Sequence, residues 1–246
     1  MLGLPDEIKA CLFDMDGVVT KTALVHAAAW KEMFDEFLRD WSAKNGTQFV
    51  PFDSQHDYNE YVDGKPRLEG IKSFLESRNI TLPLGTPSDP PGTPTISGLG
   101  NRKNDLFRTV LHRDGVEVYE DSIRYITAVR AAGMRTAIVS SSANTVEVLT
   151  AAGITDLFDT RVDAHVAQER GLRGKPEPDT FLEAARMLGV PAAEAVVFED
   201  ALAGVAAGHA GQFGFVVGVD RIEHGHAEEL RKHGADTVVK DLGDLL

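Results

Sequence analysis

A series of short apolar runs, each ending in small or polar residues, constrains this chain more than any other feature. They are "IKACLFDM" (8–15), "RTAIVSSS" (135–142), "AVVFED" (195–200), "GFVVGVD" (214–220) and "ADTVVK" (235–240). Runs of this length, rich in Val, Ile and Phe and bracketed by turn residues, read as strands buried on both faces. Between them, helical patterns in "DSIRYITAVRAAG", "ANTVEVLTAAG" and "EPDTFLEAARMLG" close on Gly133, Gly153 and Gly189, as helix C-caps do. The alternation predicts an α/β fold, a parallel sheet with helices on both faces in a Rossmann-like three-layer core. Ligands of such sheets gather at the carboxyl ends of the strands. Asp14, Ser140 and Asp200 fall at those ends.

With 246 residues the chain has room for a core and an insertion. Residues 21–113 break the alternation: "VHAAAWKEMFDEFLRDW" sets apolar residues at helical spacing, and helix-like segments follow near 66–78 and 101–113. An all-helical insertion over 21–113 is therefore expected, dividing a core domain of residues 1–20 and 114–246. Within it "PLGTPSDPPGTPTISGLG" (83–100) is rich in Pro, Gly, Ser and Thr and reads as a loop.

Acids outnumber Lys plus Arg by 38 to 25, a formal charge of −13, which argues against general attraction to nucleic acid or anionic lipid. An anionic substrate then needs local cationic help. The segment "MLGLPDEIKACLF" carries acids where a secretory signal carries Lys or Arg. No apolar run approaches the roughly 18 residues of a membrane span, so a cytoplasmic protein without a membrane partner is expected. Cys11, the lone cysteine, excludes an intrachain disulfide; in an apolar strand it reads as a buried, inert thiol.

The chemistry concentrates in "CLFDMDGVVTKT" (11–22). Residues i and i+2 of a strand share a face, with Cα atoms roughly 6.6 Å apart, so Asp14 and Asp16 can address one site. One carboxylate can attack while its neighbour, its pKa raised by the nearby charge, handles a proton. Gly17 lets the chain turn away. Taken alone, the pair fits a loop cap as well. Other strand ends add context: Glu199 and Asp200 in "FEDALAG" build an oxygen-rich site suited to magnesium. Ser140 in "VSSSAN" precedes a helix where hydroxyl and N–H groups can hold a phosphate oxygen, and Lys175 in "RGKPEPD" supplies a cation. Together they describe phosphoryl transfer through an aspartyl phosphate.

In order and spacing, Asp14-x-Asp16-Gly17-Val18, Ser140, Lys175-Pro176 and Glu199-Asp200 resemble the haloacid dehalogenase superfamily of phosphotransferases. "GKPEPDTFLEAA" and "VFEDALAGVAAGHAG" are similar to its β-phosphoglucomutase-like branch, and the insertion resembles that superfamily's α-helical cap. The resemblance implies Asp14 as nucleophile, Asp16 as general acid and base, and magnesium (Mg2+) held by Asp14, the Asp16 carbonyl and Asp200 with Glu199 close by. It assigns the phosphate to Ser140, Ser141, Asn144 and Lys175. In the cap, "YVDGKPR" resembles the loop whose arginine grips a sugar's second phosphate, which selects Gly64 and Arg67. "NRKND" selects Lys103 as a sugar contact, while His26 and Trp30 match a histidine coupled to cap closure and its aromatic neighbour.

Two departures from that pattern stand out. Lys21 replaces an acid common in relatives, and Ala143 stands where sugar mutases often carry a lysine, which suggests that Lys21 partly replaces the missing cation. His224, His226 and His233 imitate metal-ligand spacing but read as part of a charged helix far from the motifs. The resemblance implies a monomeric, Mg2+-dependent phosphoglucomutase interconverting β-glucose 1-phosphate and glucose 6-phosphate. A phosphatase acting on a small phosphorylated sugar is the alternative, because the same core serves both.

Overall fold

The computed structural model describes residues 2–222 and 225–246. The chain forms two compact units, Met1–Lys21 with Val116–Leu246, and Thr22–Gly115. In chain order, β1 (Ala10–Phe13) is followed by α1 (Thr22–Asn45), α2 (Arg67–Ser77) and α3 (Ile96–Asp114), which belong to the second unit. The first unit resumes with α4 (Glu120–Ala131), β2 (Arg135–Val139), α5 (Thr145–Ala151), β3 (Thr160–Val162), α6 (Ala164–Arg170) and α7 (Asp179–Leu188). It ends with β4 (Ala195–Glu199), α8 (Leu202–Ala210), β5 (Phe215–Val219), α9 (His226–Lys232) and β6 (Thr237–Val239).

Among the described residues the first unit holds six strands in the order β3-β2-β1-β4-β5-β6, all paired in parallel. The chain winds outward from β1 through β2 to β3, then restarts on the other side with β4. The crevice between β1 and β4 is therefore the switch point of the sheet, where ligands of open α/β sheets bind. Strand pleating sends alternate side chains to opposite faces. Leu12, Val139 and Val197 pack under Phe181 of α7 and Val205 of α8. On the other face Phe13 stacks on Phe198, ring centroids 4.6 Å apart, and Phe198 meets Tyr125 of α4 at 5.4 Å. Helices thus cover both faces, as the alternation predicts.

Every residue of β1 and β4 is buried, whereas β6 is only partly so. β6 and β3 are the edges of the sheet. The strand β3, "TRV", escapes a pattern reading because three residues with a central arginine carry almost no apolar signal. Gly133, Gly153 and Gly189 all have positive φ, as helix-stopping glycines should. Cys11 is fully buried, and burial pushes its thiol pKa up.

The second unit is built on α1, whose buried Trp30, Met33, Phe34, Phe37 and Leu38 recur at helical spacing. They meet Phe52, Phe74, Ile71 and Leu99 in one cluster. One expectation is corrected here: residues 83–100 are not loop throughout, since α3 begins at Ile96. Thr95 is its N-cap and its hydroxyl accepts from Gly98 N–H at 2.9 Å. Glycines usually argue against a helix, but Gly98 and Gly100 lie in tight places: a Cβ on Gly98 would sit 2.5 Å from the Thr93 carbonyl oxygen, and one on Gly100 3.0 Å from Leu68. Close packing overrides propensity there. No described helix is long and apolar enough to cross a membrane.

Candidate active site

Register brings the acids together. β1 pairs with β4 up to Phe13 and Phe198, and the Asp14 N–H donates to the Phe198 carbonyl at 2.9 Å, so Asp14 and Glu199 are the next residues in line. Both share a pleat face with the Leu12 and Val197 side, against which α7 packs. Lys175 enters from the loop before α7. Its ammonium donates to Asp14 Oδ1 at 2.5 Å, Glu199 Oε1 at 2.5 Å and the Val139 carbonyl at 3.1 Å. Three donors meet three acceptors. One buried lysine thereby ties the ends of β2, β1 and β4, which are neighbours in the sheet.

Burial works against the charge on Lys175, but Asp14 and Glu199 outweigh it and hold its pKa above the lysine range. Burial pushes the Asp14 carboxyl well up; Lys175 pulls it down, and Glu199 and Asp16 push it further up. Negative charge is thus in excess here. Asp14, Glu199 and Asp200 each offer an oxygen within 4.8 Å of the others, and all are buried. An all-oxygen set with surplus negative charge fits a hard divalent cation and not a soft one.

The two acids of the opening motif lie just past the strand. Asp14 follows its last residue, and Asp16 sits in a tight loop where Gly17 N–H donates to the Thr20 carbonyl at 2.8 Å. Gly17 has φ +94°, and a Cβ there would lie 1.8 Å from Asp200 Oδ2. Conformation and space both exclude a side chain. Ser140 Oγ reaches Asp16 Oδ2 at 3.4 Å and accepts from Ser142 N–H at 3.1 Å, so the serine loop and the acid loop touch. Ser141 and Asn144 lie half-buried on the same loop before α5. His165 Nε2 donates to the Ala143 carbonyl at 3.1 Å, an imidazole near a position where a lysine is absent; nothing in the local sequence marks it.

Lys21 lies on a ribbon formed by 19–21 and 117–119: Lys21 N–H donates to the Glu117 carbonyl at 2.9 Å and Tyr119 N–H to that of Val19 at 3.0 Å. Its ammonium pairs with Glu117 Oε2 at 2.9 Å. That pairing accounts for the Lys21 charge and weighs against its standing in for a phosphate-binding cation.

The helical unit has its own polar cluster. Lys103 on α3 is buried, its ammonium contacts His26 Nδ1, and it lies 4.9 Å from the Trp30 ring centroid and 5.3 Å from that of Phe107. His26 stacks on Phe107 at 4.0 Å. Arg67 opens α2; its Nη1 donates to Asn104 Oδ1 at 2.5 Å, and its buried Nε has no acceptor among the described residues. Burial depresses its pKa. Gly64, just before it, has φ +70°. His26 and Trp30 lie four residues apart on α1 and Lys103 is 77 positions from His26, yet they form one cage; Asn104, as the partner of Arg67, carries no sequence signal.

His224 lies outside the described residues. His233 caps its own helix through the Glu229 carbonyl, while His226 does something the pattern does not foretell: its Nε2 donates to the Asp200 carbonyl at 2.7 Å. The reading that this histidine cluster lies far from the motifs is corrected for His226. The helix starting at residue 226 packs on β5 and β6, which returns its first residue to the end of β4.

The sequence pattern of the haloacid dehalogenase-like hydrolases matches residues 8–212, and the chain belongs to that family. Within it, the chain is 52% identical over 247 residues to a β-phosphoglucomutase of Mycobacterium tuberculosis, covering 100% of this chain and 94% of the relative. It is 32% identical over 240 residues to a β-phosphoglucomutase of Bacillus subtilis, covering 97% and 92%. The crystal structure of a β-phosphoglucomutase from Clostridium difficile matches with a TM-score of 0.74 at 27% identity, over 97% of this chain and 93% of that one.

Proposed function

We propose that this protein is a β-phosphoglucomutase that interconverts β-glucose 1-phosphate and glucose 6-phosphate through an aspartyl phosphate. The observation that carries the reading is 52% identity to a β-phosphoglucomutase along the whole chain. The assembled acids and lysine make the chemistry feasible. In the first half-reaction the phosphoryl group on Asp14 passes to the sugar C6 hydroxyl while Asp16 takes that hydroxyl's proton. The 1,6-bisphosphate then turns end for end. An Asp14 oxygen attacks the C1 phosphoryl, the bond from phosphorus to the sugar oxygen breaks, and Asp16 returns the proton to that oxygen.

Lys175 pulls the Asp14 carboxyl toward its ionised form against burial and offsets the charge of the transferring group, while Ser140, with Ser141 and Asn144, holds its oxygens. Both Glu199 oxygens are engaged, one by Lys175 and the other by Ala201 N–H at 2.9 Å, so Glu199 braces the site while Asp14 and Asp200 offer the metal their carboxylates. A magnesium ion held there supplies positive charge against the phosphoryl oxygens. In the helical unit we assign Arg67, with Gly64, to the substrate's second phosphate, and Lys103, with His26 and Trp30, to the sugar.

The test supplies β-glucose 1-phosphate, magnesium and trace 1,6-bisphosphate, and follows glucose 6-phosphate and free phosphate in parallel. Glucose 6-phosphate without phosphate release is expected. Dominant phosphate release would make the protein a phosphatase using the same core.

A further inference from the structure

The Asp200–Ala201 peptide is gripped at both of its polar ends. On one side Ala201 N–H donates to Glu199 Oε2 at 2.9 Å; on the other the Asp200 carbonyl accepts from His226 Nε2 at 2.7 Å. The first grip is local, two residues back, and belongs to the acidic group already described. The second comes from the opening residue of α9, 26 positions on, and His226 is itself 94% buried, with 6% of its surface exposed. A carbonyl oxygen can only accept, so Nε2 carries the proton.

We infer that His226 is a positioning residue for the metal-binding carboxylate of Asp200, an inference that rests on reading Asp14 and Asp200 as metal ligands. A peptide unit is planar, so fixing both its N–H and its C=O fixes the orientation of the whole plane, and with it the ψ of Asp200. What remains to the side chain is rotation about its own bonds. That rotation is bounded where Gly17 packs against the carboxylate, since even a Cβ on Gly17 would fall 1.8 Å from Oδ2. Glu199, which grips the N–H end of this peptide, is also committed to Lys175. The histidine thus separates two tasks: Glu199 braces the lysine, and α9 anchors the aspartate. Partners of this kind, one bond removed from a metal ligand, typically change metal affinity by about 10- to 100-fold when lost.

The test measures Mn2+ binding to the full-length protein without substrate, from the loss of the free-ion electron paramagnetic resonance signal, with thermal unfolding to monitor the fold. Mn2+ prefers the same hard oxygen donors as magnesium. His226→Leu removes the donor and is expected to raise the Mn2+ Kd about tenfold or more. His226→Gln places an amide N–H2 close to the Nε2 position and is expected to restore most of the affinity, whereas the shorter His226→Asn is not. A Leu variant that binds like wild type, or a Gln variant as weak as the Leu variant, overturns the inference. Should the Leu variant fail to fold, the Gln and Asn pair decides, equal affinities overturning it. A wild-type protein that takes up no Mn2+ overturns the metal reading and the inference with it, an outcome distinct from equal binding by wild type and variants.

Discussion

Gly204 and Gly208 lie four residues apart on α8, and their surroundings give opposite expectations for the same substitution. A Cβ on Gly204 would fall 1.7 Å from Glu199 Oε1, the oxygen that holds Lys175; one on Gly208 would meet methyl groups of Val216 and Val197 at 3.2 and 3.3 Å. Alanine in a helix is worth up to about 1 kcal/mol over glycine, whereas overpacking a filled site costs about 1–3 kcal/mol. Gly204→Ala should therefore be net destabilising in urea unfolding and lower turnover by displacing Glu199, while Gly208→Ala should come out near neutral and keep turnover. Lys21 supplies the second prediction at this scale. Its ammonium is occupied by Glu117, so Lys21→Ala should leave the KM for β-glucose 1-phosphate within about twofold, because an exposed ion pair contributes little. Asp14, Asp16, Lys175, Glu199 and Asp200 could all be picked out in the sequence, since the four acids belong to short motifs at strand ends and Lys175 to a short motif in the loop before a helix. His226 and Asn104 could not: each acts through one hydrogen bond to a residue 26 or 37 positions away, and no local pattern encodes such a bond.

At the level of elements, the segment before α3 shows how a loop and a helix were confused. Asp89 organises it: Thr86 Oγ1 donates to Asp89 Oδ1 at 2.7 Å, Thr95 Oγ1 to Oδ2 at 2.6 Å, and Asn101 Nδ2 to its carbonyl at 2.8 Å. The Thr95 hydroxyl in turn caps the helix. Composition reports only the prolines and glycines of this stretch; the cap lies in side-chain bonds that form when the chain closes up. Thr95→Ala should cost about 0.5–2 kcal/mol in chemical unfolding, the range for loss of an N-cap. The hydroxyls of Thr86 and Thr95 hold the Asp89 carboxyl below its ordinary 3.8. Its contribution is then fully present above that value and is lost as pH falls through the lower folded-state pKa. Asp89→Ala should accordingly lower stability at pH 7, with the difference from wild type shrinking below about pH 4. The other strands and the long helices were legible because their apolar runs and periodicity are intrinsic, while β3 was not, its three residues with a central arginine carrying almost no apolar signal.

For the whole molecule, the excess of buried carboxylates over Lys175 predicts a stability that depends on a divalent cation. A ligand that binds only the folded state at 100 times its Kd stabilises by about 2.7 kcal/mol. Magnesium should raise the thermal midpoint of the wild type, a chelator should reverse the shift and abolish turnover, and Asp200→Asn should shift much less. The −13 net charge makes the surroundings no obstacle to such a cation. The sequence by itself determined the layers, the order of elements and which acids stand at strand ends, because period, helix stops and motif spacing are properties of neighbouring residues. Only the tertiary structure decided that Lys175 spans three strand ends, that His26, Trp30 and Lys103 share a cage, and that α9 returns His226 to Asp200. These are meetings between segments remote in the chain, set by sheet order and packing, and a one-dimensional pattern does not contain them.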